Sequence, residues 1–282
     1  MNENLRWRKM KKREYAGAEA LLRDNEQYCV GACSRFINRD KAKDSVWTLC
    51  ANKGEINGLI LYSRSSLMPV LCGEKDIPMP GFLSGFFSSI NIHSVQGLRN
   101  EAIVMEKILE KTGRITAENI DYDLMVIDNE PGADNFSSGP ANLKLRIPEF
   151  TDLDSLAVMQ ADYEREEVLP RGAKFNAAAS RINLERIIAK QDILAAELNG
   201  QLVGKINVNA VSFTRFQVGG VYVHPDFRGI GIARRMTAEF IRFLVKQGRG
   251  VTLFVKKSNH AAQKLYNRLG FTVKGDYRIS YY

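Results

Sequence analysis

Two stretches carry residue types that can do chemistry. The first, "HPDFRGIGIARRMTAEFIRFL" from His224 to Leu244, sets an arginine before two glycines one residue apart and continues into an amphipathic helix pattern. A P-loop would end in Gly-Lys-Ser/Thr, so that the lysine reaches phosphate and the hydroxyl reaches magnesium; here Ile232 and Ala233 follow Gly231. A dinucleotide fingerprint would need a third glycine where Arg234 stands, and an acidic residue about twenty positions further on. Neither is present. What remains is a strand, a turn of minimal side chains and a helix whose first N–H groups are free. That suits a phosphate or pyrophosphate held mainly by backbone, or else a tight bend that holds nothing. Small residues would let an anion come close, and the helix dipole favours its charge.

The second stretch is "SNHAAQKLYNRLGF". Its spacing predicts a helix with Asn259 and Tyr266 two turns apart on one face, while Ala261 and Ala262 leave room between them for a narrow ligand. A phenol of pKa about 10 is still a proton donor at neutral pH. The other reading of Tyr266 is an aromatic packed against a sheet, as expected of Leu265 and Phe271.

The elements that must position these residues follow from periodicity. "IDNEPGADNFSSGPANLKLRIPEF" has linker chemistry, with Pro131, Gly132, Gly139 and Pro140, and predicts a domain boundary near 140 followed by a short strand at Leu143 to Ile147. A helix then starts at Thr151 or Asp152, and a second covers Asn176 to Lys190. Strands "ILAAEL" and "LVGKINVNAVSF" are joined by Asn199-Gly200, a two-residue hairpin signal, and "RFQVGGVYV" follows. After the Gly229–Gly231 turn and its helix come a strand "GVTLFVK", a helix closed by Gly270, and a strand or hairpin "FTVKGDYRISYY". The fold class expected is α+β (mixed α/β): a mixed, mostly antiparallel sheet flanked by helices, in two domains, 1–140 and 141–282.

Composition sets the bounds. The chain has 282 residues, 45% hydrophobic and 26% charged, which reads as globular. No run approaches the length of a membrane span and the basic start leads into a polar pattern, so the expected location is the cytoplasm, with no membrane partner. Cys29, Cys33, Cys50 and Cys72 lie far from His93, His224 and His260; they are expected to be reduced core thiols, and no metal is expected. The net charge is +8; residues 1–140 hold 18 basic and 19 acidic side chains, residues 141–282 hold 22 and 13. The basic second half favours an anionic partner, whether nucleic acid, a phosphorylated cofactor or an acidic substrate.

Arg228-Gly229-Ile230-Gly231-Ile232-Ala233 resembles the Arg/Gln-x-x-Gly-x-Gly/Ala signature of the GNAT superfamily of acyl-CoA-dependent N-acetyltransferases. "VYVHPDF" is similar to that family's fourth strand, and "NHAAQKLYNRLGF" to its last helix and the turn beyond. The resemblance covers about 141–282. It implies that backbone amides from Gly229 through Ile230, Gly231, Ile232 and Ala233 to Arg234 bind the pyrophosphate of acetyl-CoA, with Arg228 supporting the loop or touching phosphate. It further implies that the pantetheine arm pairs with backbone at Val221, Tyr222 and Val223 and bonds Asn259 beside Ala262, and that Tyr266 protonates the departing thiolate. The reaction implied is direct attack by a primary amine through a tetrahedral intermediate. No cysteine stands in the second half to carry an acyl group.

The general base is less clear from sequence. "RFQVGGVYV" has Gln217, Gly219 and Gly220 where the family often places a carboxylate, so Glu197 is the expected catalytic candidate, with Glu164, Glu166 and Glu167 behind it. The acidic run in "YEREEVLPRGAKFN" could attract a cationic acceptor, a small molecule or a peptide. A non-catalytic acyl-CoA-binding regulatory module is the alternative; nucleic acid is not expected as the main partner, and a homodimer is compatible with the sequence. In the first half, Tyr15, Ala18, Leu21 and Leu22 predict a helix, and a strand meander follows with Gly54 and Gly58 at turns. "SINIHSVQGLRNEAIVMEKILEKTG" then runs strand, turn, helix, echoing the segment around Gly229 in a diverged repeat. This half resembles the degenerate amino-terminal domain of tandem GNAT proteins, and no CoA site is expected at "SVQGLRNE". His93 is expected to be structural.

Overall fold

The computed structural model describes residues 5–51, 54–71 and 81–282. They form two compact units, one of residues 1–124 and 274–282, the other of residues 125–273. The linker-like stretch suggested a boundary near 140. The units instead divide at 124/125, inside a strand, and the chain's last residues are counted with the first unit.

In the first unit, β1 (Arg6–Lys9) precedes α1 (Tyr15–Asp24) and α2 (Val30–Ile37), and β2 (Ser45–Cys50), β3 (Ile56–Ser63) and β4 (Ser66–Val70) make the expected meander. Gly58 lies inside β3, not at a turn; a Cβ there would meet the Val70 carbonyl at 3.3 Å. Next come α3 (Gly81–Ser89), β5 (Ser94–Leu98), α4 (Arg99–Glu110) and β6 (Glu118–Ile127). Cys29, Cys33 and Cys50 are buried free thiols; Cys72 lies outside the described residues. His93 packs its ring edge-on against Tyr281.

The second unit repeats the element order. β7 (Lys144–Arg146) leads to α5 (Leu153–Tyr163) and a single π-helical turn (Glu164–Val168), then α6 (Ala177–Lys190), capped by Asn176, whose side chain accepts from the Ala179 N–H. β8 (Ile193–Leu198), β9 (Gln201–Val211) and β10 (Arg215–Val223) pair antiparallel, with Asn199 and Gly200 both at positive φ in the β8–β9 hairpin as that turn requires. α7 (Ile232–Val245), β11 (Gly250–Lys256), α8 (His260–Leu269) and β12 (Thr272–Tyr281) complete the order, β12 being one continuous strand. The core sits between the sheet and α7, whose Ile232, Met236, Phe240, Ile241 and Leu244 form a buried stripe at helical spacing. Burying each such side chain contributes about 1.5–3 kcal/mol.

Both units thus read β-α-α-β-β-β-α-β-α-β, with one parallel pair in each, β4 with β5 and β10 with β11, and antiparallel pairing in the rest of their matched strands. The repeat is real in order, but its register differs from the sequence reading. β5 and α4 correspond to β11 and α8, not to β10 and α7. The first-unit counterpart of the Gly229–Gly231 turn is therefore the β4–α3 connection, of which residues 72–80 lie outside the described residues. The last strand of each order is displaced: β12 pairs antiparallel with β5 in the first unit, from Tyr277 opposite Leu98 to Tyr281 opposite Ser94. The end of β6, Met125–Ile127, completes the second unit beside β11.

Candidate functional site

The site is built where β10 and β11 part. Their parallel register runs from Arg215 opposite Gly250 to Val218 opposite Leu253 and stops, while β10 continues to Val223. The cause is a bulge. Asn207 on β9 opposes Gly219, but Lys205 opposes Tyr222, so Gly220 and Val221 are set against Ile206 alone. Gly220 has φ +62°, and a Cβ on it would overlap the Asn207 carboxamide, so only glycine fits.

Beyond β10 the chain makes a 3-10 turn at Pro225–Phe227 and enters the glycine turn. Gly229 and Gly231 both have positive φ. A Cβ on Gly229 would meet nothing within 4 Å, whereas one on Gly231 would stand 2.7 Å from the Gly139 nitrogen. Gly231 has to be small because another backbone lies against it. The first N–H to bond back is that of Arg235, to the Gly231 carbonyl at 3.1 Å. Among the described residues, the N–H groups from Gly229 to Arg234 have no backbone partner, which is the free helix N-terminus the sequence pointed to. Ile230 is half exposed beside them, Ile232 is buried in the core and Ala233 packs against it. The Arg234 guanidinium is occupied by Asn135 (2.7 Å) and Asp134 (2.5 Å). Arg228 braces: its Nε donates to the Val223 carbonyl (2.8 Å), its Nη2 meets Glu166 (3.0 Å), and its guanidinium lies over the Tyr222 ring.

The acidic run contacts the sheet, while Glu166 itself stays exposed. The π turn carries Glu164, Glu166 and Glu167 over the ends of β9, β10 and β11. Glu164 accepts from Gln160 (2.7 Å), Glu166 from the Tyr222 hydroxyl (3.2 Å) and Arg228, and Glu167 from Asn259 (3.0 Å) while also facing Lys256 (3.6 Å). Burial, and next the Glu166 charge, raises the Tyr222 phenol above its usual pKa.

Asn259 stands just outside α8 as its N-cap, not two turns along one face from Tyr266. Its Oδ1 accepts from the Ala262 N–H (3.0 Å) and its amide donates to Glu167, so both ends are engaged. Tyr266 is buried against Phe271, and burial, with Tyr163 and Glu167 adding to it, pushes its phenol well above the usual range. It stays protonated across any working pH. Glu167 thus links the two residues singled out on this stretch.

Glu197 is not brought to this place. It accepts from Arg146 (2.8 Å), whose other nitrogens fork onto Asp152 (2.7 and 2.8 Å), so a cross-strand ion pair on β7 and β8 holds it two strands away from β10. Asp152, rather than capping α5 with its side chain, accepts from that arginine and from the Glu149 N–H.

One polar group was missed. Lys205, within the apolar run of β9, is 0% exposed; its Nζ donates to the Gly220 carbonyl (3.1 Å) and lies 4.9 Å from the Tyr163 ring centre. The Tyr163 hydroxyl accepts from the Gly220 N–H (3.3 Å). The sequence signal was a single charged residue in "LVGKINV". Among the described residues no cluster could hold a metal ion, and no helix is long and apolar enough to cross a membrane.

Residues 157–271 match the acetyltransferase (GNAT) family, all within the second unit. An acetyltransferase of Pectobacterium atrosepticum is 33% identical over 79 residues, 28% of this chain and 55% of that protein. An N-terminal acetyltransferase complex ARD1 subunit homolog of Leishmania donovani is 41% identical over 58 residues, 20% of this chain and 31% of that protein. The chain therefore spans about half of the first relative's length and about a third of the second's. A solved tandem GNAT protein from the clavulanic acid biosynthesis pathway is 12% identical, with a TM-score of 0.60 over 98% of both chains. Residues 157–271 are thus similar to the acetyltransferase (GNAT) family, and the chain shares its fold with a tandem GNAT protein.

Proposed function

We propose that the second unit transfers an acetyl group from acetyl-CoA to a primary amine. The observation that carries this reading is the juxtaposition at the end of β10: backbone from Val221 to Val223 free of β11, followed at once by the unpaired N–H groups from Gly229 to Arg234. An anion at a helix N-terminus and an extended chain beside a strand edge are the two things such an end can bind. The residues present fit acetyl-CoA as co-substrate. The N–H groups from Gly229 to Arg234 would hold its pyrophosphate, and Val221 and Val223 would pair with its pantetheine. Arg228, braced on Val223, supports the turn and does not reach for phosphate.

The Tyr266 phenol, kept protonated by burial, would give the departing sulfur its proton. Glu166 and Glu167 stand on the acceptor side and suit a cationic amine. Asn259, already engaged at both ends, would orient Glu167 and α8.

The test is calorimetric titration of acetyl-CoA into the protein and into Ile230→Glu, which sets a carboxylate beside the helix N-terminus without disturbing Gly139. One site per chain, weakened at least tenfold in the variant, is expected, and a screen of primary amines for thiol release then follows. Absence of binding by the unaltered protein would mean that the turn is structural only.

A further inference from the structure

A lysine amine enclosed by protein stays charged only when something replaces its lost hydration. Around Lys205 little does. Its single hydrogen bond goes to the Gly220 carbonyl, and among the described residues no carboxylate reaches ion-pair distance. The titratable groups that face it are Tyr163 from α5, Glu164 from the π turn and its strand partner Tyr222. Burial draws its pKa down to about 7, the Glu164 charge opposing. Two acceptor oxygens near the bulge are left without a donor. Gln160 Oε1 and Asn207 Oδ1 are buried without a hydrogen-bond partner, and each is fixed in orientation because its own amide is bonded, Gln160 to Glu164 and Asn207 to Asn209. A place offering acceptor oxygens and an amine lone pair suits a group rich in N–H.

We propose that Lys205 is the general base of the transfer, taking a proton from the acceptor's ammonium at the Gly219–Gly220 bulge, where Gln160 and Asn207 receive its remaining N–H groups. This rests on the acetyltransferase reading above. Lys205's lone pair takes one proton from the ammonium, the pair left on the acceptor nitrogen forms the new C–N bond as the C=O π pair moves to oxygen, and collapse of that tetrahedral adduct expels the C–S pair with sulfur. Tyr266 gives its proton to that sulfur and regains one from the nitrogen now becoming an amide; Lys205 returns its proton to water. The net products are the acetylated amine, free thiol and one proton. Glu197 has no part in it.

The experiment compares Lys205→Met with the unaltered protein in four readouts: acetyl-CoA affinity, melting temperature, the pH profile of kcat/KM, and the NMR titration of the Lys205 side chain labelled at its ε-carbon. The expected results are unchanged affinity and a melting temperature equal or higher, since a thioether needs no hydration, with kcat/KM lower by about 100-fold or more. The unaltered protein should show an ascending limb near pH 7 that the variant lacks, matched by an NMR midpoint near the same pH. An active variant that keeps the limb, or an NMR signal charged through pH 9, overturns the proposal while leaving the acetyltransferase reading intact. If the unaltered protein binds acetyl-CoA but transfers to no amine, that reading fails first, and Lys205 is then not a base.

Discussion

The two glycines of the turn make opposite predictions when each is given a methyl group. Both have positive φ, +82° at Gly229 and +89° at Gly231, so alanine at either pays the left-handed penalty of about 1–2 kcal/mol. Only at Gly231 does the new Cβ meet something: the Gly139 nitrogen at 2.7 Å and its Cα at 3.1 Å, both backbone, which no side-chain rotation can relieve. Overpacking of that kind costs about a further 1–3 kcal/mol. In a chain of this size 1 kcal/mol lowers the melting temperature by roughly 2–4 °C. Gly231→Ala should therefore melt roughly 2–12 °C below Gly229→Ala in parallel scanning calorimetry. Equal melting of the two variants would refute the argument that Gly231 is small because of Gly139, and would return it to a ligand-facing role.

Two further outcomes are expected. Tyr266→Phe should lower kcat by about 100-fold with acetyl-CoA affinity unchanged, because the phenol's task is to hold a proton rather than to hold the co-substrate; a fall in affinity with kcat preserved would contradict it. Asp152 has its carboxyl held below the usual carboxylate range by the hydrogen bonds from Arg146. A depressed carboxyl contributes stability above the unfolded pKa of about 3.9 and loses it as pH falls through the lower folded value, so the urea midpoint of Asp152→Asn should lie below that of the unaltered protein at pH 7 and converge with it in acid. A gap as wide at pH 2.5 as at pH 7 would count against this.

The second unit was largely legible because its signals are local. Asn199-Gly200, the N-cap at Asn176, Gly270 and the apolar stripe of α7 each state their element within a few residues. The glycine turn likewise named its free N–H groups. What escaped depends on contacts between segments distant in sequence. Whether "YEREEV" faces water or the sheet is decided by one π turn, and Glu197's fate by Arg146, 51 residues earlier. Lys205 carried a faint mark, a charge in an apolar strand, but its meaning needed the bulge at Gly220 and the ring of Tyr163. The repeat register failed for a related reason: β5 and β10 each precede a helix, and only pairing shows which neighbour each one takes.

The displaced last strand bears on how such a chain can be born. Tyr277 settles against Leu98, so the rim of β5 waits for residues synthesised long after it, and the earlier-made half is not closed until they emerge. During that interval β5 presents an unpaired edge, the kind of surface that recruits foreign strands. Arg278, forked onto Asp121 and reaching Glu106, and Ser280, bonded to Glu106, then act as a clasp that shuts once β12 is made. Closure of the first unit is thereby tied to β12, so a chain cut before that strand keeps the rim of β5 open.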